Sequence, residues 1–188
     1  MAIKIYIDQG HNPDSPNSGA EGNGYREQDI TYEVGDILAD LLRANGSFEV
    51  RLSRPTPTTQ LGTTNSSSLS TRVNDANSWG ADYFISIHTN ASTSSAVNGT
   101  EVLVYSSPSI ASELAEDILR ELTEITGLRN RGIKLRPGLY VLRKTNMPAV
   151  LVEMGFISNP RDANLMANEP GLFAEGIYRG ILDFFSLS

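Results

Sequence analysis

Only two histidines occur in 188 residues, His11 and His88. Each closes an apolar run, IKIYIDQGH and DYFISIH, and a third such run, PAVLVE, closes on Glu153. A fourth candidate comes from helical spacing. Ile30, Val34, Leu38 and Leu41 follow Glu27 by 3, 7, 11 and 14 residues, which puts Glu27 on the inward face of a helix, at its start. Asp29 aligns instead with Glu33, Asp36, Asp40 and Arg43 on the outer face. Two imidazoles and one carboxylate suit zinc with a position left open for water, and a further carboxylate left unligated suits a general base. Taken singly, each residue has a plainer reading. A strand-end histidine is often a hydrogen-bonded structural group, a strand-end glutamate is often solvated, and a first-turn carboxylate complements the helix dipole. Their joint occurrence points to metal-assisted hydrolysis, although no compact HExxH motif is present.

These residues need elements to position them. Residues 3–7 alternate as a strand, 28–44 read as a helix ended by Asn45-Gly46, and FEVRL (48–52) reads as a second strand. TPTTQLGTTNSSS is polar and reads as a loop, followed by a helix from about Leu69 to Trp79 with Leu69, Val73 and Ala76 inward. Residues 82–88 form a nearly continuous apolar strand, as expected where both sheet faces are covered. ASTSSAVNG is a loop, TEVLVYS a strand, and 110–126 a helix with Ala111, Leu114, Ile118, Leu122 and Ile125 on one face. LYVLR and PAVLVEMGF read as strands, and helices near 160–167 and 171–185 close the chain. Strands alternating with helices predict one α/β domain over residues 1–188, layered α/β/α, with a central, mostly parallel twisted sheet of about six strands. In such sheets ligands bind beyond the carboxyl ends of the strands. Parallel neighbouring strands would gather His11, His88 and Glu153 at one edge.

Hydrophobic residues are 39% and charged residues 20%, the balance of a globular domain. The net charge of −7 argues against nucleic-acid binding, which leans on clustered Lys and Arg. With no cysteine, disulfides and thiolate metal sites are excluded, so any zinc takes His, Asp or Glu. No run of about 18 apolar residues exists to span a membrane, and the start shows no signal-peptide pattern. The expectation is a monomeric protein without membrane contact, reaching its substrate by lysis, by a non-classical route, or as a trimmed catalytic domain.

The segments DQGH, GYREQDI, FISIHTNA and PAVLVEMGFISN, in this order, resemble the zinc-dependent N-acetylmuramoyl-L-alanine amidases of the Amidase_3 family. Smaller matches are Arg54, Arg72, Asn77, Gly99 with Glu101, and NRGIK followed by LYVLR. The resemblance runs from about Ile3 to Ile181. Gln9 stands where the family usually has proline, and NPDSPNSGAEGNG is longer and less glycine-rich than the family stretch, which would shape the groove mouth differently. Residue by residue, the resemblance implies one Zn2+ held by His11, Glu27 and His88, with Glu153 as the catalytic carboxylate. It implies a peptidoglycan substrate, cleaved at the amide between N-acetylmuramic acid and L-alanine, in a phage lysin or a host autolysin. On this reading Gly10 lets the backbone turn after the first strand. Asp8 bonds either to a ligand histidine or, the preferred reading, to backbone at the turn.

Segments 12–26, 89–99 and 130–138 are candidate groove loops. Arg129, Arg131, Lys134 and Arg136 make the last locally basic, either a docking place for stem-peptide carboxylates or a solvated loop. Two other functions compete. A metallopeptidase would use the same residues on another amide. A wall-binding module would need aromatic repeats, whereas the chain has one Trp, 7% aromatic residues and no repeat.

Overall fold

Alternation along the strands decides which side of the sheet each side chain serves. The computed structural model describes residues 2–187. In chain order these form β1 (Ile3–Gln9), β2 (Glu21–Gly22), β3 (Tyr25–Arg26), α1 (Glu27–Asn45), β4 (Phe48–Leu52), α2 (Asn65–Trp79), β5 (Tyr83–Asn90) and β6 (Thr100–Val104). There follow α3 (Ile110–Thr126), β7 (Asn130–Leu135), α4 (Tyr140–Lys144), β8 (Ala149–Phe156), α5 (Pro160–Asn168) and α6 (Pro170–Phe184). Six strands make one sheet in the order β4-β1-β5-β8-β6-β7, and β2 and β3 make a separate small hairpin. β4, β1, β5 and β8 are mutually parallel; β6 runs antiparallel to β8, and β7 parallel to β6. The expected α/β/α layering with a mostly parallel six-stranded sheet is therefore present.

On the first face Ile5, Ile7, Ile85, Ile87, Val102, Val104, Val150 and Val152 pack under α1, α3 and α6. The intervening residues Tyr6, Phe84, Leu103 and Leu151 point to the second face, where Val73 and Ala76 of α2 and Val141 and Leu142 of α4 cover them. α2 and the five-residue α4 cover less than α1, α3 and α6 together. Part of the β5–β8–β6 surface on the second face is left as the floor of a groove, and Glu101, Leu103, Leu151 and Glu153 line it.

The sixth strand is not LYVLR. Residues 140–144 form helix α4, and the strand is β7, Asn130–Leu135. Val141 and Leu142 are adjacent and both buried, which a strand of alternating faces with one face solvated does not give. A short apolar run does not by itself separate helix from strand. β7 was hidden by its charges and by Gly132, which takes φ +83 where the β6–β7 register shifts. Charged residues and irregularities are common on edge strands, where they discourage pairing with other chains. α2 also begins earlier than expected. Thr64 caps Asn65–Trp79 through a capping box with Ser67, so the serine run belongs to the first turn of the helix, with Ser68 buried.

Candidate metal centre and groove

β1, β5 and β8 are neighbours, and each delivers one polar group to the same region. His88 and Glu153 are Cα partners across the parallel β5–β8 pair, and His11 lies two residues past the end of β1. The fourth group arrives from α1. Glu27 is the first residue of that helix and only 3% exposed, whereas the Asp29 side chain is 60% exposed, as the helical spacing requires.

Glu27 is held from four sides. Its Oε1 accepts the Thr89 amide at 2.9 Å and lies 3.1 Å from His88 Nδ1. Its Oε2 accepts the Ala20 amide at 2.9 Å and lies 3.2 Å from His11 Nε2. Burial pushes this carboxyl up, but hydrogen bonds and charge from the two imidazoles outweigh burial and hold it well below the usual carboxylate range. One ligand atom from each of His11, Glu27 and His88 lies within 4.8 Å of the others. The separations of 3.1 and 3.2 Å run to different carboxylate oxygens, Oε1 toward His88 and Oε2 toward His11, so the carboxylate bridges two imidazoles of the kind zinc takes as ligands. The donor set and its spacing therefore fit a zinc-sized cation.

Glu153 stands apart from this triad. Its Oε2 is buried without a hydrogen-bond partner. Burial first, then the charges of Glu27 and Glu101, push its carboxyl up to about 8. Glu101 lies opposite it on β6, accepts hydrogen bonds from Asn90 Nδ2 at 3.0 Å and Arg131 Nε at 3.1 Å, and is 7% exposed. Sequence reasoning noted Glu101 only as a minor match. The signal available was its place two residues into TEVLVYS on the same strand face as Leu103.

The corner carrying His11 is built from buried polar groups. His11 itself takes φ +67, a left-handed conformation unfavourable for a residue with a Cβ. Arg72, 1% exposed, donates to the carbonyls of Gln9 and His11, both at 2.6 Å, and to Asp8 Oδ1 at 2.7 Å. Asp8 Oδ2 accepts from Ser86 Oγ at 2.8 Å. Asp8 thus binds neither a ligand histidine nor the turn backbone; it anchors the arginine that grips the turn. Gly10 also has a different reason from the one expected. Its φ is not positive, but a Cβ there would sit 2.6 Å from His88 Cε1 and 2.6 Å from the Ile87 carbonyl. Close approach to the second histidine, not turning, requires glycine. Gln9 fills its place fully buried, accepting from the Arg54 amide and donating to the Tyr32 carbonyl.

The other minor matches also hold the frame. Arg54 donates to the Gln28 carbonyl at the start of α1. Asn77 joins α2 to the end of α4 through the Lys144 carbonyl and the Asn146 amide. Gly99, at φ +104, passes where a Cβ would lie 2.4 Å from the Arg129 carbonyl.

The groove over these groups has a volume of about 680 Å³, walled by Ser18–Ala20 and Thr89–Ala91 on one side and by Arg136 and Leu139 on the other. All three expected loop segments reach it. The family model for N-acetylmuramoyl-L-alanine amidase, Amidase_3, matches residues 5–183. The chain belongs to this family. Among related amidases, CwlM of Bacillus licheniformis is 36% identical over 190 residues, covering 99% of this chain and 70% of that protein. LytC of Bacillus subtilis is 37% identical, covering 96% of this chain but 35% of that protein. The solved catalytic domain of the amidase CwlV from Bacillus (Paenibacillus) polymyxa superposes with a TM-score of 0.86 at 32% identity, covering 99% of both chains. The Amidase_3 match spans every strand and helix that supplies a groove residue.

Proposed function

We propose that this chain is a zinc-dependent amidase that hydrolyses the bond between N-acetylmuramic acid and L-alanine in bacterial peptidoglycan. In this reading it acts as a single catalytic domain and a monomer, at the cell wall. Family membership supports the substrate class. The observation that carries the chemistry is the separation of roles in one groove, with His11, Glu27 and His88 clustered and Glu153 unligated beside them.

His11, Glu27 and His88 would hold the ion, which when bound supplies a Lewis acid that acidifies water and polarises the scissile carbonyl. Glu153 in its ionised form accepts a proton from the attacking water and returns it to the leaving amine. A carboxyl drawn up by burial is a stronger base than an exposed one and suits that exchange near neutral pH. A positive charge at the triad works against the elevation, so both charges tune the same proton. The left-handed His11 turn, gripped by Arg72, and the Glu27 side chain, fixed by two backbone amides, hold the ligands ready before substrate arrives.

The test is to digest purified cell walls and identify the new chemical ends by mass spectrometry. Free N-terminal L-alanine on intact stem peptides, with muramic acid left behind, is expected. New ends inside the peptide would replace this reading with that of a metallopeptidase, and undigested walls that merely retain the protein would replace it with a binding module.

A further inference from the structure

Among the described residues, the groove carries one guanidinium that makes no ion pair. Of the basic residues between 129 and 136, Arg131 is tied to Glu101 and lies over the Phe156 ring at 5.0 Å. Arg136 stands at the far end of the groove, exposed, and among the described residues its side chain donates only to the neighbouring Leu135 carbonyl.

Sheet register fixes how far Arg136 lies from the reacting groups. Glu101 pairs with Glu153, and the Arg136 amide bonds to the Val104 carbonyl, three residues further along β6. At about 3.3 Å per strand residue the two levels are roughly 10 Å apart. An extended peptide covers that distance in about three residues. The floor between them is apolar, formed by Leu103 and Leu151. The chain has a net charge of −7, so a peptide bearing free carboxylates gains from a local cation in the groove.

We propose that Arg136 is a specificity-determining residue, pairing with a free carboxylate of the stem peptide two to three residues past the scissile amide. The peptide then lies along the β6–β8 floor and the glycan leaves by the opposite end. A guanidinium suits this role because its planar fork binds a carboxylate through two parallel hydrogen bonds. The proposal rests on the amidase reading above.

Soluble muramyl tripeptides, with each stem carboxyl in turn free or amidated, test it. kcat and KM are measured for the wild type, Arg136→Gln and Lys134→Gln. Lys134 lies on β7, two residues before Arg136, and its replacement removes the same charge without touching the groove lining. The wild type should prefer one free carboxylate over its amide by about tenfold in kcat/KM, carried by KM. Arg136→Gln should collapse that preference to about one, and Lys134→Gln should keep it. Equal rates on free and amidated substrates in the wild type would overturn the proposal, as would a Lys134→Gln variant that loses the preference as fully as Arg136→Gln. Wild-type enzyme that leaves the muramyl amide intact in every substrate would instead sink the amidase reading, and this proposal with it.

Discussion

Glu101 and Glu153 stand directly opposite one another across the antiparallel pair of β6 and β8. Like charges in that relation repel, and only Glu101 is neutralised, by Arg131. The Glu101 charge therefore adds to burial in raising the proton affinity of Glu153. Replacing Glu101 with Gln removes one cause of the elevation and frees the Arg131 charge, so both changes lower the Glu153 pKa. The acidic limb of the pH–activity profile should move to lower pH in Glu101→Gln, read from kcat/KM between pH 4 and 9. An unmoved limb would remove Glu101 from the proton chemistry.

Glu153→Gln should separate catalysis from metal binding. General-base catalysis is typically worth roughly 10²–10⁴-fold, so turnover should fall by that factor while bound zinc, measured by atomic emission, stays near one per chain. Loss of the metal in this variant would make Glu153 a ligand and undo the division of roles.

The same residue gives the metal-free protein a pH-dependent stability. Its carboxyl rises from an ordinary value of 4.5 to about 8 on folding, so the native state binds the proton more tightly than the unfolded state. Its contribution is fully present below about pH 4.5 and is lost as pH rises through 8. Thermal melts of the metal-free wild type should fall across that window by an amount corresponding to a few kcal/mol, at about 1.4 kcal/mol per unit. Glu153→Gln should flatten the slope. Parallel slopes would show that other groups set it.

Arg72 is fully enclosed and grips two carbonyls and Asp8. Arg72→Met leaves the Asp8 charge buried and unpaired, a change that costs about 3–5 kcal/mol. It also releases the left-handed His11 turn. Chemical denaturation should show the stability loss, and zinc competition against a chelator should show weakened metal affinity. Affinity unchanged in a destabilised but folded variant would confine Arg72 to stability.

Gly10→Ala forces a methyl against His88 Cε1 and the Ile87 carbonyl, both 2.6 Å away. Overpacking of this kind typically costs about 1–3 kcal/mol, and here it displaces His88, a proposed metal ligand. Zinc affinity should drop more than fold stability. Wild-type affinity would mean that the ring has room to turn.

The sequence was most legible where one physical constraint dominated. The apolar period of α3 and the FEVRL strand carry their boundaries in composition, because burial decides them. The inward direction of Glu27 followed from a helix whose opposite face holds Asp29, Glu33, Asp36 and Asp40. Legibility failed where neighbours decided the outcome. LYVLR folds as α4 because α2 offers Val73 and Ala76 to cover Val141 and Leu142, a partner no local pattern announces. β7 escaped notice because an edge strand satisfies only one side of its backbone and tolerates RGIK. Asp8 and Gly10 were noticed but misread, since their reasons, Arg72 and the His88 ring, lie 64 and 78 residues away.

The unequal covering of the two sheet faces separates two kinds of sequence change. On the α1–α3–α6 side, side chains meet only other side chains, so drift there registers as melting temperature. On the thinly covered side the same strands line the groove, and in the proposed reading changes in the loops at 12–26, 89–99 and 130–138 register as preference among walls. A chain built this way can exchange what it cuts without renegotiating how it folds.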